Sequence, residues 1–408
     1  MSLDTQKGVV DGQCRVHGLN NLYVAGTAVF PSGGHGNPTL TALALTLRLA
    51  DHLQPKAVVE IVGDSLGTEQ DKFAEMLLGS DGKLYGVPFS ARHLLCYDPK
   101  TGTSKLVGVL PGDVPQYTKG NGLFMGGYSP MHRPDQATEP RGARAAEAFR
   151  LILVPFAADK LMRFDAGTDD DDNAKAPLTS FGPSFGMKPG KWRCGAVAPN
   201  GKLYCVPHVS SRFLCVDPET LEVKEVGEPL LDEGGSKFFG AVTAEIDGKL
   251  YCCPYSASHV YRFDPNTNVA EKVGADLGKM EKKFSGGCMG PDGDTIYFVP
   301  NNAQRVYSFN VRTCHGAQVG PDLNAICGIK ESKFNGGVLG KDGALYLIPR
   351  DAPRVVRFDP KTLLAEPIGP EWTGDNKWAG GRLGADGHIY CAPHNHTHVL
   401  RICINYVT

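Results

Sequence analysis

From about residue 57 to the end of the chain, apolar and polar residues alternate in short runs separated by Asp-Gly, Asn-Gly and Asp-Pro pairs. Period-two alternation between tight-turn signals predicts short strands with one buried face rather than helices. The runs also recur in a fixed order. Asp81-Gly-Lys-Leu-Tyr-Gly-Val-Pro88, Asn200-Gly-Lys-Leu-Tyr-Cys-Val-Pro207 and Asp247-Gly-Lys-Leu-Tyr-Cys-Cys-Pro254 are the clearest copies, and others begin at Asp292, Asp342 and Asp386. A degenerate copy starts at Leu151. Aligned on their prolines (Pro88, Pro155, Pro207, Pro254, Pro300, Pro349 and Pro393), the copies make seven units spaced by roughly 45–50 residues, one of them stretched by a polar insertion.

Each unit parses as four strands. Asp-Gly or Asn-Gly turns the first into the second, and Asp-Pro at Asp98, Asp217, Asp264 and Asp359 turns the third into the fourth. Seven such units predict a mainly β fold, a seven-bladed β-propeller. The last unit ends after its third strand, at Val399-Leu-Arg-Ile-Cys403. Its missing strand stands before the first unit, where Ala57-Val-Val-Glu-Ile-Val-Gly63 parallels Asn268-Val-Ala-Glu-Lys-Val-Gly274. Residues 57–64 are therefore expected to complete the last blade and remove two free sheet edges.

The pattern differs before residue 56. A short apolar strand, Asn21-Leu-Tyr-Val-Ala-Gly26, runs into the glycine-rich loop Pro31-Ser-Gly-Gly-His-Gly36, then Asn37-Pro38 and an apolar helix to about Leu53. Asn37 suits an N-cap and Pro38 the first helical turn, so free N–H groups and a partial positive charge are presented at that end. Together with Arg15-Val-His-Gly18, Val29-Phe-Pro31 and Gly36-Asn-Pro-Thr-Leu-Thr41, this stretch resembles the closing segment of the glucose-methanol-choline (GMC) flavin oxidoreductases. The resemblance divides the chain into a short α/β fragment of a GMC FAD-binding domain, residues 1–55, and the propeller, residues 56–408. It implies FAD as cofactor, oxidation of an alcohol or sugar CH–OH group, and flavin contacts from Gly26, Thr27, Asn37, Pro38, Thr39 and Leu40. Asn37 falls at the second position of the family's catalytic pair, and His35 lies two residues away from it. The family's active-site histidine precedes this segment, and no G-x-G-x-x-G turn occurs in the sequence. By itself the chain is expected to be inactive as a dehydrogenase.

Composition modifies the picture in a few places. Fifty glycines and 29 prolines suit a turn-rich β protein. A formal net charge of −2 gives no general attraction to nucleic acid or to a membrane surface. The 12 cysteines form no C-x-x-C pair and read as buried thiols of a reducing compartment. With no signal peptide and no apolar span long enough for a bilayer, a cytoplasmic location is expected. His394-Asn-His396-Thr-His398 and the acidic run Asp169 to Asp172 read as surface features rather than metal sites, so no metal is expected.

Two basic sets recur with the repeat. Five residues after the prolines stand His93, Lys160, Arg212, His259, Arg305, Arg354 and His398. Before the first strands, lysine precedes an aromatic residue at Lys72, Lys191, Lys237, Lys283, Lys333 and Lys377; the second unit has Leu123-Phe124 instead. Both sets map to one face of the ring. The expected function there is either a basic funnel with an aromatic rim, holding an anionic small molecule or a protein partner, or packing copied with each duplicated blade. A non-catalytic binding or scaffold protein is thus the alternative to the flavin enzyme.

Overall fold

The computed structural model describes residues 9–11, 14–18, 22–25, 41–46, 49, 57–114, 122–130, 149–167, 176–231, 233 and 235–404. Two compact units emerge, Met1–Lys56 with Asn405–Thr408, and Ala57–Ile404. Within the described part of the first unit, Val10 bridges Val16, Arg15 bridges Tyr23, and residues 41–46 are helical. Arg15 is held to Asp11 at 3.4 Å.

The second unit is a seven-bladed β-propeller built from seven antiparallel sheets of four strands. The first strands of the blades are Phe73–Leu78, Phe124–Tyr128, Trp192–Val197, Phe238–Ala244, Phe284–Met289, Phe334–Leu339 and Trp378–Leu383. Each contacts the first strands of both neighbouring blades, so they close a ring around a central channel. The turn chemistry of the sequence acts directly here. Asp81, Asp247, Asp342 and Asp386 each accept the O–H of the tyrosine four residues later, at 2.8, 2.8, 2.9 and 2.7 Å. In the third blade Asn200 donates to Tyr204 instead, at 2.9 Å. The repeated Asp-Gly-x-x-Tyr is thus a clamp across the first hairpin.

Blade 7 takes its outer strand from the other end of the propeller sequence. Val58–Val62 pairs antiparallel with Val399–Cys403, with Glu60 opposite Arg401. Glu60 Oε1 accepts from Arg401 Nη2 at 2.7 Å and from Cys403 Sγ at 3.1 Å. Those bonds, the thiol's first and the guanidinium's second, hold its carboxyl below the usual range. Val59 is buried and packs on Gly369 of the sixth blade.

One feature of the inner strands differs from regular alternation. Every first strand carries a β-bulge, seen as a register shift between Phe284 and Gly287 in the fifth blade and at the matching place in the others. In five blades the bulge holds a glycine at positive φ: Gly126, Gly240, Gly286, Gly336 and Gly380. At Gly380 the choice is steric as well, since a Cβ there would stand 3.2 Å from Glu75 Cα across the seam to the first blade.

The core lies between adjacent blades rather than at one centre. Trp192, Trp378, Tyr85, Tyr251 and Phe238 are among its largest fully buried side chains. The described cysteines are all free, and most of them are buried. Among the described residues no helix is long and apolar enough to cross a membrane.

Candidate functional site

The six repeated lysines are buried. Their stems run between blades, and their ammonium groups end on main-chain carbonyls. Lys191 Nζ donates to Ala157, Gly186 and Lys188 at 2.9–3.0 Å. Lys283 donates to Ser256, Gly278 and Met280. Lys72 reaches Glu69, Lys237 reaches Val209, Lys333 reaches Asn302 and Lys330, and Lys377 reaches Gly374. Five of the six pin the loop that leads into their own blade, and Lys237 instead holds the loop after the proline of the preceding blade; each satisfies carbonyls that the turns leave unpaired. Burial pushes Lys191 and Lys377 down to about 8, against the opposing pull of Asp159 and of Asp351 with Asp375.

The aromatic residues that follow are also buried, from Phe73 to Trp378, so they form core rather than a rim. Tryptophan replaces phenylalanine in two blades with a clear use for its N–H. Trp192 Nε1 donates to the Arg212 carbonyl at 2.9 Å and Trp378 Nε1 to the His398 carbonyl at 3.0 Å.

The second basic set stands where the third strands begin, beside the ends of the outermost strands and away from the channel. Arg212 and Arg305 donate to the carbonyls of Gly227 and Gly320, and His93 Nδ1 is 3.1 Å from the Gly108 carbonyl. All three glycines have positive φ; Gly227 and Gly320 follow the last residue of their outer strands, and Gly108 is the penultimate residue of its own. Arg354 pairs with Glu371 at 3.1 Å, His259 Nδ1 lies 3.0 Å from Ser258 Oγ, and His398 Nδ1 lies 2.8 Å from Thr397 Oγ1. Lys160 is half-buried beside Asp159. Both basic sets lie at the same end of the blades, but they do not converge on a common open surface. His394 and His396 are used locally as well. His394 sits between the Phe73 carbonyl and Asp71, and the His396 ring lies on Trp378 at 4.4 Å. Among the described residues no group of three or more potential ligands is placed to hold a metal ion.

What the strands do bring together is the channel. Its cavity, of about 560 Å³, is lined by the first strands of all seven blades. Next to the first strands, the residues that follow the repeat prolines occupy equivalent places in the seven blades: Phe89, Phe156, His208, Tyr255, Asn301, Arg350 and His394. From the seventh to the fourth blade the rings touch in succession. His394 to Phe89, Phe89 to Phe156, Phe156 to His208 and His208 to Tyr255 are separated by 5.2, 6.1, 5.7 and 5.6 Å between centroids. The Arg193 guanidinium lies 3.8 Å from the Phe239 centroid and within reach of Phe156 and Tyr255.

On the fifth and sixth blades the same places are polar. Ser285 Oγ and Asn301 Nδ2 both donate to the Phe334 carbonyl, at 2.6 and 3.1 Å. Asn335 follows on the cavity wall. Deeper in the channel, Glu75 and Arg382 line the cavity, and the Glu75 carboxylate supports the charge that burial disfavours on Arg382. Sequence reasoning missed this constellation. A signal was available: the position after the proline changes chemistry from copy to copy, through Phe, Phe, His, Tyr, Asn, Arg and His, beside a proline present in all seven.

The positions that the flavin resemblance assigns, Gly26, Thr27, His35, Asn37, Pro38, Thr39 and Leu40, lie outside the described residues. So do Asp169 to Asp172.

Fold and channel define a seven-bladed β-propeller with a cavity at its centre, its inner strands carrying glycine bulges in five blades. Comparison with known proteins then separates the chain's two parts. The family model described as GMC oxidoreductase matches residues 1–46. The propeller is similar in fold to a streptogramin B lyase, at 14% identity and a TM-score of 0.60, covering 86% of this chain and 98% of that one. It is also similar to virginiamycin B lyase from Staphylococcus aureus, at 13% identity and a TM-score of 0.60, covering 86% of this chain and all of the other. At these identities the likeness shows the fold alone. No curated protein matches the sequence.

Proposed function

We propose that this chain is a propeller binding module that holds a small organic molecule in its central channel and carries, in the same polypeptide, the closing segment of a GMC-type oxidoreductase. The observation that supports it is the cavity of about 560 Å³ to which every blade contributes. That is the size of pockets that enclose small ligands, and a mostly apolar wall with a few polar groups is their usual chemistry. The basic sets read from the sequence favour packing over anion capture, because most of these side chains already meet a carbonyl or carboxylate within the fold. The test is a fragment screen by thermal shift on the whole chain and on Ala241→Phe, a substitution at a position of the fourth blade that lines the cavity. Hits that stabilise the parent and not the variant support the reading. Hits indifferent to the substitution contradict it.

The match over residues 1–46 favours a second reading, in which that segment takes part in FAD-dependent oxidation of a CH–OH group. FAD, where bound, supplies the hydride acceptor. Gly26, Thr27, Asn37, Pro38, Thr39 and Leu40 would contact it, with Asn37 in the catalytic pair. Titrating the chain with FAD and recording its visible spectrum decides the point: a stoichiometric, protein-bound flavin band supports it, and free flavin throughout the titration contradicts it.

A further inference from the structure

We propose that the channel's ligand is an uncharged aromatic molecule that carries an N–H or O–H donor, with its ring against Phe239 and its donor at the seam between the fifth and sixth blades. This rests on the channel being the binding site, and it adds the chemical class that the walls select.

Three observations carry it. First, Met125 and Phe239 line the cavity, and the Arg193 guanidinium of the blade between them lies over the Phe239 ring at 3.8 Å. A ring so fixed has little entropy left to lose, which favours another aromatic ring against the part of it that lines the cavity.

Second, the charges inside the channel offset each other. Glu75 and Arg382 stand on adjacent strands of the first and seventh blades and act on one another electrostatically. Lys341 is the remaining charged lining residue, and it lies exposed at a turn. A charged ligand would therefore lose its hydration without gaining an unmatched counter-charge inside.

Third, the polar seam has hydrogen-bonding capacity left over. Asn301 is fully buried, and its Oδ1 has no hydrogen-bond partner although its Nδ2 is used on the Phe334 carbonyl. Ser285, which shares that carbonyl, and Asn335 both line the cavity, so the orphaned acceptor lies next to the polar part of the lining rather than on it. A buried acceptor left unpaired is costly, and an N–H or O–H from a bound molecule is what removes the cost. The Asn335 carboxamide adds a second acceptor and a donor on the same side.

The experiment compares indole with 1-methylindole, and phenol with benzoate and benzylamine, by calorimetric titration of the whole chain. Methylation removes the donor and keeps the ring. Indole is expected to bind about tenfold more tightly than 1-methylindole, and phenol more tightly than either charged analogue. Asn335→Ala should bring the indole preference close to one. Asn301→Leu should do the same, and because Asn301 also ties two blades, Asn335→Ala decides the matter if that variant fails to fold. Equal binding of indole and 1-methylindole, tighter binding of benzoate, or no binding of indole and phenol overturns the proposed class. If that occurs while other fragments still depend on Ala241→Phe, the channel reading stands alone. Indole binding that ignores Ala241→Phe overturns both.

Discussion

Asn301 and His208 occupy the same place in their blades, one residue after the repeat proline, and do the same work. Each donates from a side-chain nitrogen to the carbonyl of the aromatic residue that opens the next blade, Phe334 or Phe238. The difference is that imidazole titrates. Burial, reinforced by the nearby charge of Arg193, pushes His208 down to about 3. Its folded value is below its unfolded value of 6.5, so between about pH 6.5 and pH 3 the unfolded chain binds a proton that the native state refuses. Stability is expected to fall through that window by up to about 1.4 kcal/mol per pH unit from this group. The repeat itself indicates the remedy. His208→Asn should keep the latch as Asn301 does, and should flatten the acid limb of a urea-denaturation stability profile by about one proton. An unchanged acid limb would show that His208 is protonated in the fold. At this scale the sequence was legible as pattern and left the chemistry open between anion capture and packing. The lysines were easy to find, but that their ammonium groups would end on carbonyls depends on loop shapes that no spacing encodes.

Strands and turns were the most readable level. Asp-Gly and Asp-Pro pairs marked the hairpins because few residues accept those turn geometries, and the displaced last strand was visible from the likeness of residues 57–63 to 268–274. The expected limits of 57–64 became Val58–Val62. The bulges were not foreseen, although Gly-Gly after Lys-aromatic-x in the fifth, sixth and seventh blades was their mark. A bulge is set by the need to bring seven strands close at the channel, which is a property of the ring and not of any one unit. The closing strand yields a prediction. A chain lacking residues 1–56 should unfold in one cooperative step and remain monomeric. A chain lacking residues 1–63 leaves the edge of Val399–Cys403 open and the Arg401 guanidinium without Glu60. Its melting temperature should be lower by about 5–10 °C, and it should self-associate in size-exclusion chromatography. Equal melting of the two chains would mean that the ring is not held shut by this strand.

The whole molecule joins two histories. Its first residues match a GMC oxidoreductase segment, and the remainder is a propeller whose repeats still resemble one another closely enough to be counted by eye. Architecture was legible because the signals that define it are local and repeated seven times. The candidate site was not, because duplication preserves what packs and hides the few positions that have diverged. Those positions, Phe89 through His394, come together only when the ring is closed. A crystal structure of the chain soaked with indole gives the most direct view of the outcome. The ring should lie in the channel against Phe239, with its N–H toward the Asn301 and Asn335 carboxamides. Indole found only on the outer surface of the blades, with the channel unaltered, would contradict the account.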